Sequence, residues 1–248
     1  FTNVKSNGKI AMKFEDEHAE TTLINARIAS NDDDVMLTTN SGRAIRFPAT
    51  DVRVFNSRAS VGVRGIKLSG SDKVVSMSII RHFDAGADER AAYLKMRRAV
   101  AGLADDVDVS DEDAVDANAT ISQERYAEMS AHENLILTIT AKGSGKLSSS
   151  HDYPVRGRGG MGVTAMDKAM RGGEIVASFP VEMDDQIMLA TSKGQSIRVP
   201  VEGISFRSRS AGGVKVFDTG KGEEVVSVAW IADQGDDDAE DGSEGEEA

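Results

Sequence analysis

Val35-Met36-Leu37-Thr38-Thr39-Asn40-Ser41-Gly42 returns as Ile136-Leu137-Thr138-Ile139-Thr140-Ala141-Lys142-Gly143, and again as Ile187-Met188-Leu189-Ala190-Thr191-Ser192-Lys193-Gly194. Self-similarity at a fixed spacing marks a repeat architecture and comes before any local reading. The later two copies begin 51 residues apart and the earlier two 101 apart, about twice that. The motifs downstream keep the same order. Val61-Gly62-Val63-Arg64-Gly65-Ile66-Lys67 is echoed by Gly213-Val214-Lys215-Val216-Phe217 and, more weakly, by Gly162-Val163-Thr164-Ala165-Met166. Each unit closes on a short apolar run: Lys73-Val74-Val75-Ser76-Met77, Glu174-Ile175-Val176-Ala177-Ser178 and Glu224-Val225-Val226-Ser227-Val228. Gly8-Lys9-Ile10-Ala11-Met12-Lys13 followed by Thr22-Leu23-Ile24-Asn25-Ala26 reads as a partial earlier copy.

Inside a unit the pattern is that of strands: runs of Val, Ile, Leu and Thr broken by Gly, Asn, Ser and Asp. Ser41-Gly42, Lys142-Gly143 and Lys193-Gly194 each stand between two such runs, where glycine supplies the positive φ of a tight hairpin. About four strands per 50 residues predicts one small four-stranded antiparallel sheet per repeat, the blade of a propeller-like ring. A β-sandwich with chance internal likeness is the alternative, and it does not explain why the same residue types return at the same offsets.

Residues 83–134 break the pattern and read as an acidic helical insertion of about one repeat length. Asp88-Glu89-Arg90-Ala91-Ala92-Tyr93-Leu94-Lys95-Met96-Arg97-Arg98-Ala99-Val100 is rich in helix formers, with Tyr93, Met96, Val100 and Leu103 on one predicted face. An acidic run over 105–116 follows, and Thr120 and Gln123 have capping-box spacing ahead of a second short helix through Met129. The expectation is a helical hairpin grafted between two blades; a tolerated surface insertion without a role is the competing reading. The organisation expected is a partial blade plus one complete blade over 1–82, the insertion at 83–134, two further blades over 135–232, and an acidic tail at 233–248. That tail's composition predicts disorder. A tail of that charge suits either a solubilising end or an internal polyanion that competes for a basic surface of the same chain.

The chain carries 29 Lys and Arg against 41 Asp and Glu, a net charge of −12, which alone argues against a nucleic-acid partner. The charge is unevenly spread. Residues 83–134 hold 13 acids and 5 bases, and residues 233–248 hold 9 acids and no base, leaving 24 bases against 19 acids in the repeats. A basic body with two acidic appendages is a different object from an evenly acidic chain. There is no cysteine, so neither disulfides nor thiolate metal sites are available, which fits a cytoplasmic setting. No apolar stretch is long enough to cross a membrane. The start at Phe1-Thr2-Asn3-Val4-Lys5 has neither initiator methionine nor signal pattern, so a fragment beginning in mid-protein is expected.

No catalytic constellation is legible. His18, His82, His132 and His151 have no metal-ligand spacing. There is no phosphate-cradling Walker sequence and no nucleophile elbow. Asp32-Asp33-Asp34 and Asp184-Asp185 precede strands and are read as turn-forming acids, not metal ligands. What recurs is Arg and Lys beside Gly. Bases follow each hairpin: Arg43 and Arg46, then Lys146, then Arg198. A basic loop precedes each Gly-Val strand, containing Arg58 in the first unit, Arg156 and Arg158 in the second, and Arg207 and Arg209 in the third. Glycines let backbone N–H groups approach an anion, and arginine forks match its oxygens. With Arg64, Lys67 and Lys215 from the Gly-Val strands, these twelve residues are the candidate DNA contacts. Few aromatics accompany them, so stacking on single-stranded bases is not indicated and backbone contact with bent duplex is.

The unit V/I-M-L-x-T-x-x-G-x-x-I-R, a basic glycine loop, G-V-R/K-x-I/F and E/K-x-V-V-S resembles the blades of the C-terminal domain of the type IIA DNA topoisomerase A subunit, that of DNA gyrase above all; topoisomerase IV shares the architecture. The resemblance covers 1–82 and 135–232. It implies an all-β, six-bladed β-pinwheel that wraps duplex DNA around a basic rim and so supports ATP-dependent negative supercoiling. It also implies two kinds of partner, the rest of a dimeric A subunit plus a gyrase B subunit, with ATP, magnesium and the DNA-cleaving tyrosine in parts outside this chain. None of Tyr93, Tyr126 and Tyr153 takes that tyrosine's role, and no cofactor is expected here. The family's box Gln-Arg-Arg-Gly-Gly-Lys-Gly has only a partial look-alike, Arg158-Gly159-Gly160-Met161-Gly162, with Met161 in place of a base. The alternatives are the C-terminal domain of topoisomerase IV and a protein–protein scaffold propeller.

Overall fold

The computed structural model describes residues 4, 6–14, 21–57, 60–102, 116, 118–167 and 172–231. The fold is built from three twisted antiparallel sheets, one for each copy of the repeat. The first contains β1 (Asp33–Thr39), β2 (Arg43–Pro48) and β3 (Val74–Arg81). Two helices follow, α1 (Ala87–Val100) and α2 (Gln123–Ala131). The second sheet contains β4 (Leu135–Thr140), β5 (Ser144–Ser149) and, after the two-residue strand β6 (Val163–Thr164), β7 (Ile175–Val181). The third contains β8 (Gln186–Thr191), β9 (Ser196–Pro200) and, after β10 (Val214–Lys215), β11 (Val225–Ile231).

The hairpins form where glycine was expected to permit them. Gly42, Gly143 and Gly194 have φ of 90°, 78° and 81°. Their amides donate to the carbonyls of Thr39, Thr140 and Thr191 at 3.1, 3.0 and 3.0 Å, closing the β1–β2, β4–β5 and β8–β9 turns. The pairing of each first strand with its closing strand slips at the same place in every sheet: at Thr38/Thr39, Ile139/Thr140 and Val225/Ser227. A shared bulge of this kind sets a shared twist.

The sheets do not coincide with the sequence repeats. Strand order is β3-β1-β2-β6 in the first sheet, β10-β5-β4-β7 in the second and β11-β8-β9 in the third. The outermost strand of the first blade is therefore supplied by the second repeat, and that of the second blade by the third. Arg43 lies opposite Thr164 and Ala44 opposite Val163; Ser144 lies opposite Lys215 and Gly145 opposite Val214. Glycine makes the approach possible. Gly162 has φ of 69°, and a Cβ there would lie well inside van der Waals contact distance of the Ala44 carbonyl oxygen. A Cβ on Gly213 would stand 2.8 Å from both the nitrogen and the oxygen of Gly145.

The apolar cores lie between blades. Met36, Ala44 and Ile80 of the first pack on Ile136, Tyr153, Val163 and Ile175. Leu137, Ile139 and Leu147 of the second pack on Ile187, Leu189, Val201 and Val225. Each such Leu or Ile contributes about 1.5–3 kcal/mol relative to exposure. A third cluster, Val35, Ile45, Phe47 and Ile66, lies on the opposite face of the first blade. The partial earlier copy contributes no strand among the described residues; Lys13 N–H donates to Ser60 O at 2.9 Å and ties it to the first blade.

The helices stand between β3 and β4 and dock on the second blade. Tyr93 is fully buried as expected, edge-on to His151 at 5.0 Å. Val100, expected on the same face, is 71 % exposed because the helix ends there, and Leu103 lies outside the described residues. The cap of α2 is Ser122, whose hydroxyl accepts from Arg125 N–H at 3.1 Å, and not Thr120. The 105–116 run, apart from Asp116, and the 233–248 tail lie outside the described residues.

Gly162→Ala is expected to cost about 2–4 kcal/mol, because it adds positive-φ strain to a backbone clash; thermal melting against Gly157→Ala, where a Cβ meets nothing within 4 Å, checks it. His151 is held below its ordinary pKa of 6.5 chiefly by burial. Below about pH 6.5 the unfolded chain takes a proton that the folded chain refuses, so stability falls as pH drops toward the depressed folded value. Denaturant melts between pH 5 and 7.5 should show that slope, and His151→Gln should flatten it.

Candidate nucleic-acid interface

Strand exchange decides where the basic loops go. After the turn at Ser150–Asp152, the second repeat crosses onto the first blade, where Val155 bridges Arg46 and Arg156 N–H donates to Arg46 O at 2.8 Å. The loop then lies along residues 64–67: Gly159 N–H donates to Gly65 O at 2.7 Å and Lys67 N–H to Gly160 O at 2.8 Å. The third repeat does the same one blade on. Phe206 bridges Leu147, and Arg207 N–H donates to Leu147 O at 2.8 Å.

Arg158 and Arg209 make equivalent contacts. Arg158 Nε donates to Asp51 O at 3.2 Å and its Nη1 to Arg64 O at 2.5 Å. Arg209 Nε donates to Asp152 O at 2.8 Å, its Nη1 donates to Thr164 O, and its amide to Asp152 Oδ2 at 2.6 Å. Each arginine thus fastens its loop to the 3-10 turn and the Gly-Val segment of the repeat before it, at Asp51 and Arg64 for Arg158 and at Asp152 and Thr164 for Arg209. Asp51 and Asp152 were not singled out in the sequence; their 101-residue spacing, the same as that of the hairpins, is the signal that marks them.

Three of the twelve candidate cations are buried and engaged with protein. Arg46 is 3 % exposed, pairs with Asp34 at 2.7 Å and donates to Ser150 O at 2.8 Å. Lys146 is 0 % exposed; its ammonium donates to the carbonyls of Ser208 at 2.9 Å, Ala211 at 2.7 Å and Arg209. Arg209 is 7 % exposed. Arg43, Arg156, Arg158 and Arg207 are half-buried, and Arg64, Lys67, Arg198 and Lys215 are exposed. Arg58 lies outside the described residues.

The structure brings Arg43, Arg64, Lys67, Arg156 and Arg158 together around the second repeat's loop, and Arg207 and Lys215 around the third's. The register adds a regularity. Arg43 and Thr164 share one face of the first outer pair, opposite to buried Ala44 and Val163. Ser144 and Lys215 hold the same positions one blade on, so each outer pair presents one cation on the same side. Arg198 stands apart on β9, which no outer strand joins among the described residues.

Of the acids read as turn-forming, Asp33 and Asp185 shape turns, whereas Asp34 lies within β1, fully buried and paired with Arg46. Asp33 accepts from Ser30 N–H at 2.6 Å, which lowers its pKa, and Asp185 accepts from Glu182 N–H at 2.7 Å. Among the described residues no group of His, Asp and Glu is placed to hold a metal ion, and no helix is long and apolar enough to cross a membrane.

Residues 33–81, 134–182 and 185–229 each match the family described as DNA gyrase C-terminal domain, beta-propeller. The chain belongs to this gyrase C-terminal domain family. The matched stretches run from the start of β1 to the end of β3, then resume one residue before β4, leaving both helices outside the family pattern. The chain is 41 % identical to the DNA gyrase A subunit of Granulibacter bethesdensis over 255 residues, covering 96 % of this chain and 27 % of that protein. It is 38 % identical to the DNA gyrase A subunit of Rickettsia bellii, covering 97 % and 26 %. It therefore spans about a quarter of the length of these two gyrase proteins. Among solved structures it superposes on a DNA gyrase A C-terminal domain with a TM-score of 0.62 at 21 % identity, covering 91 % of this chain and 58 % of that one. A topoisomerase IV C-terminal domain gives 0.56 at 20 %, covering 82 % and 47 %. The two superpositions show that the pinwheel fold is shared.

Lys146→Met should lower the melting temperature, since three buried carbonyls lose their donor, each worth about 1–3 kcal/mol. Exposed Lys67→Ala should stay within about 0.5 kcal/mol of the parent. Paired denaturant titrations of the two variants separate the roles.

Proposed function

We propose that this chain is a DNA-binding and DNA-wrapping module of a gyrase A subunit, bending duplex DNA around its outer edge in support of ATP-dependent negative supercoiling by the whole enzyme. The observation that carries the reading is the recurrence of one cation at the same side of both outer strand pairs, Arg43 and Lys215, together with the arginines of the loops that feed those pairs. A curved row of charges of one sign suits a curved polyanion whose sequence is not read. The 41 % identity to a gyrase relative supports the gyrase reading over the topoisomerase IV one. The remainder of a dimeric A subunit, a gyrase B subunit carrying ATP and magnesium, and a cytoplasmic setting belong to the same proposal.

In this reading the twelve residues divide into two roles. Arg43, Arg64, Lys67, Arg156, Arg158, Arg198, Arg207 and Lys215 meet phosphate, Arg158 while also fastening its loop. Arg46, Lys146 and Arg209 hold the loops in place. Arg58 joins the first group by its place in the repeat.

The test is DNA binding across a salt series, with nicked circular DNA sealed in the presence of protein and its linking number compared with a protein-free control. A positive linking shift is expected, with a steep salt dependence. Arg64→Ala with Lys67→Ala should weaken binding equally on unrelated sequences and reduce the salt slope by about 0.9 per contact removed. Indifference to DNA at low salt would reject the proposal in favour of a scaffold propeller.

A further inference from the structure

The helical insertion lies outside the family pattern, yet it does not hang free. Tyr93 of α1 packs edge-on against His151 at 5.0 Å, and its ring lies tilted against Tyr126 at 5.1 Å. His151 Nε2 is 2.8 Å from Met129 O of α2, and Phe83 faces both His132 at 4.9 Å and His151 at 5.5 Å. Arg125 joins the two helices through Glu89 at 3.0 Å. The pair is a single body seated on the 3-10 turn of the second blade.

One helical turn beyond Tyr93, on the same face of α1, Arg97 reaches across to the third repeat. Its Cζ lies 4.2 Å from the centroid of the Phe206 ring, and its Nε is 2.6 Å from Glu133 Oε2. The Glu133 side chain is 7 % exposed, so this pair sits where solvent screens it poorly. Phe206 is the residue at which the third repeat bridges Leu147 and immediately precedes Arg207. From below, Lys146 holds the same loop by the carbonyls of Ser208, Arg209 and Ala211. At the equivalent crossing onto the first blade stands Val155, which offers no ring to a cation.

We propose that the insertion is a brace for the third repeat's basic loop, with Arg97 as the positioning residue: by clamping Phe206 it fixes where Arg207 and its neighbours meet DNA phosphate. The inference rests on the DNA-wrapping reading above. It gives the insertion a role without any DNA contact of its own, and it makes the strength of the third repeat's DNA contact depend on a segment outside the repeat.

The experiment uses the full-length protein with Arg97→Ala, Arg97→Lys and Arg207→Ala, singly and with Arg97→Ala combined with Arg207→Ala. Affinity for a duplex is measured across a salt series, and hydrogen exchange is followed at the Leu147 and Arg207 amides. Arg97→Ala should speed exchange at those amides and weaken binding about five-fold, the scale of a partly desolvated cation–π contact, with a shallower salt slope. Arg97→Lys should restore most of both, because it keeps the charge and the ring contact. The double variant should be little worse than Arg207→Ala, as expected of residues acting through one another. If Arg97→Ala lowers the melting temperature but leaves affinity, salt slope and Arg207 protection unchanged, or if the two effects simply add, the brace is overturned. Should Arg207→Ala and Arg64→Ala also leave binding untouched, the DNA-wrapping reading has failed rather than the brace alone.

Discussion

Everything in this molecule depends on a backbone passing within contact distance of another backbone at Gly162 and Gly213. At each, a strand of two residues crosses from its own repeat to complete the blade before it. A side chain at either position would hold the strand off, leaving the carbonyls of Ala44 or Gly145 without their neighbours. The basic loop feeding each short strand is carried along, and so ends up on the outer edge of a blade to which it does not belong in sequence. The charged surface is a by-product of how the sheets are closed.

The exchange also explains why a repeat unit so rich in arginine and lysine uses some of them inside. A crossing loop brings carbonyls that no ladder satisfies, and a buried long-chain cation can satisfy several at once. Lys146 takes three, Arg209 spans Asp152 and Thr164, and Arg46 reaches Ser150 while neutralising Asp34. The repeats do not solve this identically. The position of Arg46 in the first blade is Leu147 in the second, and that of Ile45 is Lys146. Equivalent places in the fold are stabilised by different chemistry, which leaves the exposed cations as the shared property.

The hairpins, the blades and the inserted helices were legible because their determinants are local: a glycine between two apolar runs, or a stretch of helix formers. The exchange was not, because it pairs Arg43 with Thr164 across an insertion, and nothing near either residue announces the partner. For the same reason Arg46, Lys146 and Arg209 were grouped with the exposed cations; their type suggests solvent, and the carbonyls that hold them belong to distant backbone. Helix ends were read imperfectly. Ser122 caps α2 where Thr120 had the better spacing, since a serine hydroxyl at the helix boundary reaches the N3 amide directly.

A chain is made from one end, and strand exchange gives that fact a consequence. A blade cannot close when its own repeat leaves the ribosome; it waits for the next. At about 5–20 residues per second, the second blade waits several seconds for β10. The first waits about twice as long, because the helical segment is translated between β2 and β6. Throughout that interval β2 is an open edge, and its residues Arg43, Arg46 and Pro48 are of the kinds that discourage a stray strand from pairing there.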